Sequence, residues 1–236
     1  MNAPIRTVVL SGGLDSTTVL ALAIDAAGGD VSGIQAVSFN YGQRHVRELE
    51  SAIAVASHYG VRHEIIDLKG LMHGSALLYA GPVPEGHYAE DTMKATVVSG
   101  RNLLFASTAI AATPEGGSVW LGVHAGDHFV YPDCRPEFWA PLSEAVKGAY
   151  DIELVLPIIT ISKADALAAG YALGAPVELS WSCYAGGEEN GGLHCGRCGT
   201  CVERAEAFDL AGIPDPTEYA DPDFWRGAIA TFDAAN

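Results

Sequence analysis

A β-branched run, Thr7 to Leu10, is followed at once by Ser11-Gly12-Gly13-Leu14-Asp15-Ser16-Thr17-Thr18 and then by an alanine-rich stretch reaching Ala27. A strand that turns directly into a helix through two glycines leaves few folds open, because the chain must next lay a parallel strand beside the first through a right-handed crossover. The same rhythm recurs as Ile34 to Phe39, Arg47 to Tyr59 and Arg62 to Asp67. It predicts βαβ units and a parallel sheet. A polar segment from Gly81 to Asp91 reads as a loop or lid. Beyond it, the pattern predicts a helix over Asn102 to Ala112, a strand over Ser118 to Val123 and a turn over Tyr131 to Pro136. A helix over Glu137 to Ala149, a strand over Leu154 to Ile159 and a helix over Lys163 to Leu173 follow. Ser182 to Thr200 is rich in glycine and cysteine, and Cys201 to Ala211 again has helical spacing. The predicted architecture is α/β, a parallel sheet with helices on both faces over residues 1–180, and a small C-terminal metal-binding region over 181–236 packed on it.

The Ser11–Thr18 segment would set backbone N–H groups at a helix N-terminus, where anions are attracted. Glycines let those amides close on phosphate oxygens without a Cβ in the way, and Ser11, Ser16 and Thr17 add hydroxyls. Asp15 suits either the helix dipole or a magnesium ion. An ordinary turn with a serine or aspartate cap would account for a bare Gly-Gly pair; eight residues in order point to phosphate. The segment lacks the Gly-Lys-Ser/Thr ending of a Walker loop and the spaced glycines of a dinucleotide fold, which argues against γ-phosphoryl and hydride transfer.

Four of the five cysteines, Cys183, Cys195, Cys198 and Cys201, crowd into one glycine-rich stretch. Four thiolates at this spacing suit tetrahedral zinc with no open position, hence a structural ion. An iron–sulfur cluster is the competing use, although the ferredoxin run needs a further Cys-Pro that does not follow Cys201. His194 is a competing ligand, with a surface or supporting role the more ordinary outcome. Cys134 stands apart, either a reactive thiol or an inert buried one.

Other polar clusters follow predicted strands, the edge where open α/β sheets hold ligands. Asn40-Tyr41-Gly42-Gln43-Arg44-His45 is one, with a helix-capping loop as its plain alternative. Arg101, opening a helix, would clamp a phosphate or pair with a surface carboxylate. Tyr131 to Phe138 packs Asp133, Cys134, Arg135, Glu137 and Phe138 into one proline-flanked turn. Lys163, Arg101 and Arg44 are candidates to neutralise developing phosphate charge, and Phe39, Tyr41 and Phe138 could stack a flat base. With 13 Lys and Arg against 29 Asp and Glu, the formal charge of -16 opposes a nucleic-acid partner. The longest apolar stretch, Leu103 to Ala112, is too short for a bilayer span, and Met1 to Arg6 lacks a secretory signature. A cytoplasmic location is expected.

Together these segments resemble the 7-cyano-7-deazaguanine synthase (QueC) family of the PP-loop ATP pyrophosphatase superfamily. Leu10 to Thr18 is similar to the family's ATP loop, Tyr41-Gly42-Gln43-Arg44-His45 to its second signature and Gly100-Arg101-Asn102 to its third. Tyr131 to Phe138 is similar to its fourth, and Ser162-Lys163 and Trp181-Ser182-Cys183-Tyr184 through His194–Cys201 complete it with a zinc pattern. The resemblance implies a Rossmann-like PP-loop fold and a homodimer. It implies ATP with Mg2+ held by Leu10, Ser11, Gly12, Gly13, Leu14, Asp15, Ser16, Thr17, Thr18, Val19 and Leu20, and one structural Zn2+ on Cys183, Cys195, Cys198 and Cys201. The implied activity is an ATP-dependent carbon–nitrogen ligase that converts 7-carboxy-7-deazaguanine and free ammonium to the nitrile through an adenylated carboxylate and then an amide. Asp15, Ser16, Arg101 and Lys163 would carry the chemistry, and Tyr41, Gln43, Arg44, His45, Asp133, Arg135, Glu137 and Phe138 would hold the base. Ser99 stands where the family pattern has proline, and Asp127-His128-Phe129-Val130 where it has Asp-Tyr-Ser-Gly. A tRNA thiolation enzyme of the same superfamily would call for a basic surface, which the charge of -16 does not offer.

Overall fold

In a computed structural model, residues 4–79, 81–187 and 190–235 are described; Met1 to Ala3 of the first segment read above lie outside them. The elements run β1 (Arg6–Val9), α1 (Leu14–Asp25), β2 (Ile34–Asn40), α2 (Arg47–Tyr59), β3 (Arg62–Asp67), α3 (Arg101–Ala111) and β4 (Ser118–Trp120). They continue as α4 (Pro136–Tyr150), β5 (Glu153–Val155), α5 (Lys163–Ala172), α6 (Gly199–Ala211) and α7 (Phe224–Ala235), with short 3-10 turns between.

The strands form one parallel sheet in the order β3-β2-β1-β4-β5. Successive strand residues face opposite sides, and each side buries its own set. Val9, Val37 and Val119 pack with Ala106 and Ala109 of α3 and Trp139 and Val146 of α4. Val8, Leu10 and Ala36 pack with Val19 and Leu20 of α1, Val55 of α2 and Ala166 of α5. Helices therefore cover both faces, as the sequence rhythm predicts. On the α1 side a further layer forms where Phe208 and Ala207 of α6 meet Leu14, Ala21 and Leu167.

Strand order reverses between β1 and β4, so the chain leaves these neighbours in opposite directions and opens a crevice beyond their carboxyl ends. The Ser11 loop issues into that crevice. Gly12 has φ +88°, and a Cβ there would lie 2.0 Å from the Glu48 carbonyl oxygen, so only glycine lets the loop seat on the first turn of α2.

Two strands are shorter than predicted. β4 stops at Trp120 and β5 at Val155. Past β4 the Leu121 amide makes a last bond to the Val155 carbonyl, Leu121, Gly122 and Val123 line the crevice, and Gly122 sits close enough to α1 that a Cβ would meet the Ser16 nitrogen at 3.1 Å. α7 and the 3-10 turn over Asp91–Thr96 were not expected. α7 is held by contacts remote in sequence: Phe224 lies under Arg197, and Phe232 stacks on His87 at 3.8 Å.

The Gly81–Asp91 segment is pinned rather than free. Glu85 bridges to Cys198, the Gly86 amide donates to the Arg197 carbonyl, and the Arg197 guanidinium spans Glu85 and Asp221 at 2.8 and 3.0 Å. Among the described residues no helix is long and apolar enough to cross a membrane.

Candidate active site

The loop after β1 is internally braced. The Ser11 and Ser16 hydroxyls lie 3.0 Å apart, Gly13 N donates to Ser11 Oγ, and Ser16 Oγ and Thr17 Oγ1 both donate to the Gly13 carbonyl. The first amides of α1 have no intrahelical acceptor by geometry and face the crevice, the arrangement that binds an anion. The loop is tied to the C-terminal region through Trp181, whose amide donates to the Gly12 carbonyl at 2.8 Å. Ser11, Gly13, Leu14, Asp15 and Ser16 line the cavity. Leu10, just past β1, and Val19 and Leu20 of α1 are core residues; Gly12 seats against Glu48, Thr17 braces the Gly13 carbonyl and Thr18 packs against Gly170 of α5.

Beside the loop lies a buried ion cluster. Lys163 Nζ, at the first residue of α5, is 2.9 Å from Asp15 Oδ2 and 3.0 Å from Glu203 Oε2. His124, fully buried, accepts the Gly126 amide on Nδ1, which leaves its proton on Nε2. Nε2 faces Lys163 Nζ at 3.4 Å and Asp127, Glu203 and Asp15 at 3.5, 3.7 and 3.8 Å. Burial pushes the Asp15 carboxyl up, but Lys163 and His124 outweigh it and hold it below its ordinary value. Burial likewise pulls against the charge on Lys163, yet Asp15, Glu203 and Asp127 drive its ammonium well above the usual range. His124 is raised because the surrounding carboxylates outweigh its burial, with Asp127 the largest contributor. Asp127 is itself raised, by burial and then by its acidic neighbours Glu203 and Asp15. Asp15 Oδ1 is buried without a hydrogen-bond partner. A bare carboxylate oxygen beside a phosphate loop suits a magnesium ion, a hard cation that takes oxygen ligands.

The far wall is aromatic and holds one cation. Arg101, at the start of α3, faces Tyr41, Tyr131 and Tyr184; burial opposes its charge, but the three phenols more than compensate. Phe105 stacks on Phe39 at 4.4 Å and tilts against Tyr41 at 5.4 Å. Tyr41, His45, Arg101 and Lys163 thus come together on one cavity with the loop.

Six other expected residues do not line that cavity. Gln43 is buried beneath it, receiving the Tyr41 amide and donating to the Phe39 carbonyl and Glu48. Arg44 turns outward to the Gly81 carbonyl. In the Tyr131–Phe138 turn the 3-10 geometry directs Tyr131 and Cys134 inward, while Asp133 accepts the Asn102 amide and Arg135 donates to the His128 carbonyl. Glu137 is exposed, and Phe138 packs edge-on against Trp139. In the 127–130 segment Asp127 lines the cavity; His128, Phe129 and Val130 do not. Sequence reasoning missed Glu48, Phe105, His124 and Glu203, and quoted Asp127 and Tyr184 within longer segments without giving either a role in the site.

Cys134 is buried and takes a hydrogen bond from Asn102 Nδ2 at 3.3 Å. Burial, then Asp127 and Asp133, push its thiol far up. It is expected to stay unmodified by iodoacetamide at neutral pH in the folded protein, with peptide mass spectrometry as the check, since the thiolate is the reacting form.

The four clustered cysteines bring all their Sγ atoms within 4.8 Å of one another, and none is in a disulfide. Four sulfurs about 2.3 Å from one central ion would stand about 3.8 Å apart, and Cys195 and Cys201 are 3.9 Å apart. Backbone amides of Arg197 and Cys198 point at Cys195 Sγ, and that of Cys195 at Cys183 Sγ, as thiolate acceptors require. The donor set fits a metal ion. His194 is outside it: the ring is buried against Trp181, and Nε2 accepts the Ser182 amide. α6 begins directly after Cys198 and carries Thr200 and Glu203 to the cavity.

The model of the family described as queuosine biosynthesis protein QueC matches residues 6–212. Proteins named 7-cyano-7-deazaguanine synthase are similar over nearly their whole length. That of Allorhizobium ampelinum is 48% identical, covering 96% of this chain and 97% of its own. That of Rhizobium meliloti is 50% identical over 95% and 96%, and that of Brucella anthropi 50% identical over 94% and 96%. On that match and on the parallel sheet, braced loop and four-cysteine cluster described above, this chain belongs to the QueC family.

Proposed function

We propose that the chain is a 7-cyano-7-deazaguanine synthase, joining ammonium nitrogen to 7-carboxy-7-deazaguanine at the expense of ATP. The observation that carries this reading is a single cavity in which a braced phosphate loop, two largely covered cations and an aromatic wall meet. A carboxylate oxygen is a poor leaving group. Its attack on the α-phosphorus of ATP forms an acyl adenylate and expels pyrophosphate; ammonia then displaces AMP to give the amide and one proton. A second ATP would activate the amide oxygen, which leaves on AMP as the C–N triple bond forms and the amide protons are lost.

For this chain's residues we assign the following. The amides and hydroxyls of Ser11 to Ser16 hold the departing pyrophosphate. Lys163, oriented by Asp15 and Glu203, and Arg101, oriented by the tyrosines, balance negative charge as it moves between the phosphates and the acyl carbon. The Asp127–His124 pair takes the proton released as the amide forms. Magnesium, when bound, would neutralise phosphate charge from Asp15 Oδ1, and zinc on the four thiolates would fix the first turn of α6. Residues 1–180 would form the nucleotide-binding part and 181–236 the metal-bearing part. A homodimer in the cytoplasm completes the reading.

The test is to incubate zinc-replete protein with ATP, magnesium, ammonium and 7-carboxy-7-deazaguanine and follow base and nucleotide by mass spectrometry. Nitrile with AMP is the expected result. ATP binding without turnover of that base would assign the chain a different acceptor, and no ATP binding would end the enzyme reading.

A further inference from the structure

The aromatic half of the cavity holds two acceptors that the chemistry above leaves unused. His45 is 2% exposed and lines the cavity; its Nε2 lies 3.3 Å from Glu48 Oε2, while its Nδ1 is buried with no hydrogen-bond partner. A proton on Nε2 directed at Glu48 leaves Nδ1 a bare acceptor. Glu48 also lines the cavity. Its other oxygen is fixed by Gln43 Nε2 at 3.0 Å, and Gln43 is anchored in turn on the backbone of Phe39 and Tyr41. Each carboxylate oxygen retains a lone pair. The two acceptors share the lining with the rings of Tyr41, Phe105 and Tyr184; among the described residues the Tyr41 hydroxyl, 3.5 Å from His45 Nε2, is the further group near the pair, and it leaves Nδ1 unmatched.

A buried acceptor left unmatched is costly, so such a pair persists where a ligand supplies donors. A guanine-type ring does, because its N1–H and exocyclic amino group lie side by side on one edge; an adenine-type ring offers an acceptor nitrogen at the corresponding place. We propose that Glu48 and His45 read the N1–H/amino edge of the base, making them the specificity-determining residues of the cavity, with Gln43 as their positioning residue. The inference rests on the functional reading above and adds to it which base edge is recognised and by which atoms. It also explains Gln43, which lies beneath the lining rather than in it.

The test compares 7-carboxy-7-deazaguanine with its 2-desamino analogue in wild type, Glu48→Gln and His45→Phe. Wild type is expected to favour the amino-bearing base by roughly 10- to 100-fold in kcat/KM, the worth of one buried hydrogen bond to a charged acceptor. In Glu48→Gln the preference should collapse several-fold or more through a rise in KM for the base, with KM for ATP nearly unmoved. His45→Phe should weaken the same preference while keeping the ring contacts. An unchanged preference would overturn the proposal. So would a rise in KM for ATP in place of the base, which would put adenine against Glu48, or an equal loss for both bases with a lowered melting temperature. Calorimetric titration of the two bases into ATP-free protein needs no turnover. If wild type binds the amino-bearing base selectively and Glu48→Gln does not, yet no nitrile forms, the reaction reading fails and this one stands; turnover without that selectivity is the converse.

Discussion

Replacing Lys163 by methionine is expected to lower kcat/KM by roughly 10³-fold, on the scale of removing one preorganised charge from a transition state, and to destabilise the fold at neutral pH. The ammonium is the only cation within 3.0 Å of both Asp15 and Glu203 among the described residues. The Lys163 side chain is 11% exposed and that of Glu203 9%. Methionine keeps the volume and removes the charge, leaving Glu203, 9% exposed, and Asp15, 22% exposed, with the more distant His124 ring at 3.7 and 3.8 Å as their remaining cationic neighbour. Stranding a buried charge in this way costs roughly 3–5 kcal/mol. The pH response should also weaken. In wild type the Asp15 carboxyl is held below its ordinary value, so its contribution to stability is present above the unfolded value near 3.8 and is lost as pH falls through the folded one. Without Lys163 only His124 and Arg204 oppose burial, so the folded value rises and the stability lost on acidification through that window shrinks. Adding Glu203→Gln to Lys163→Met should recover much of the melting temperature but none of the turnover. A single variant that keeps activity within ten-fold of wild type would remove Lys163 from the chemistry.

How much of this was legible in the sequence depended on whether a residue's role was local. α2 is found at the residues its spacing predicts, Arg47–Tyr59, because amphipathic period and a left-handed Gly60 cap are local signals. The loop from Ser11 is legible for the same reason: strand, glycines, hydroxyls and helix are contiguous. The ends of β4 and β5 were not, since Leu121 and Val123 are as apolar as the strand before them, while the close seat of Gly122 on the first turn of α1 is a tertiary contact. α7 depends on His87 and Arg197, far away in the chain.

The site divides along the same line. Lys163 and Arg101 announce themselves as cations at the starts of predicted helices. Glu48 and Glu203 do not, because an acid on a helix reads as part of a solvated face until tertiary packing turns it inward. The reverse error occurs at Asp133, Arg135 and Glu137. A turn dense in charge looks like a site, yet its 3-10 geometry turns Tyr131 and Cys134 to the cavity and spends the charges on backbone caps or solvent. The cysteines escape the difficulty because three of the four ligands are adjacent.

Replacing any one of Cys183, Cys195, Cys198 or Cys201 by serine is expected to drop bound zinc from about one per chain to near zero and to abolish turnover, although none of them lines the cavity. The buried cluster around the sulfurs is small, Trp181 with the cysteines themselves and a few partly covered neighbours such as Val83, Tyr184 and Tyr219. Such a core cannot by itself offset the conformational entropy of a glycine-rich segment, so the metal's binding energy becomes folding energy there. The consequence runs outward along α6. Cys198 precedes its first residue and Cys201 lies in its first turn, so a slack knuckle frees Glu203 from Lys163 and leaves Trp181 without its hold on the Gly12 carbonyl. Metal loss should therefore weaken ATP binding as well as lower the melting temperature. Cys134→Ser, distant from the cluster, should keep the metal. Inductively coupled plasma mass spectrometry together with visible absorption decides the metal's identity. Zinc without absorption near 400 nm is expected from sulfurs spaced for one ion; iron with labile sulfide would assign the four thiolates to a cluster instead.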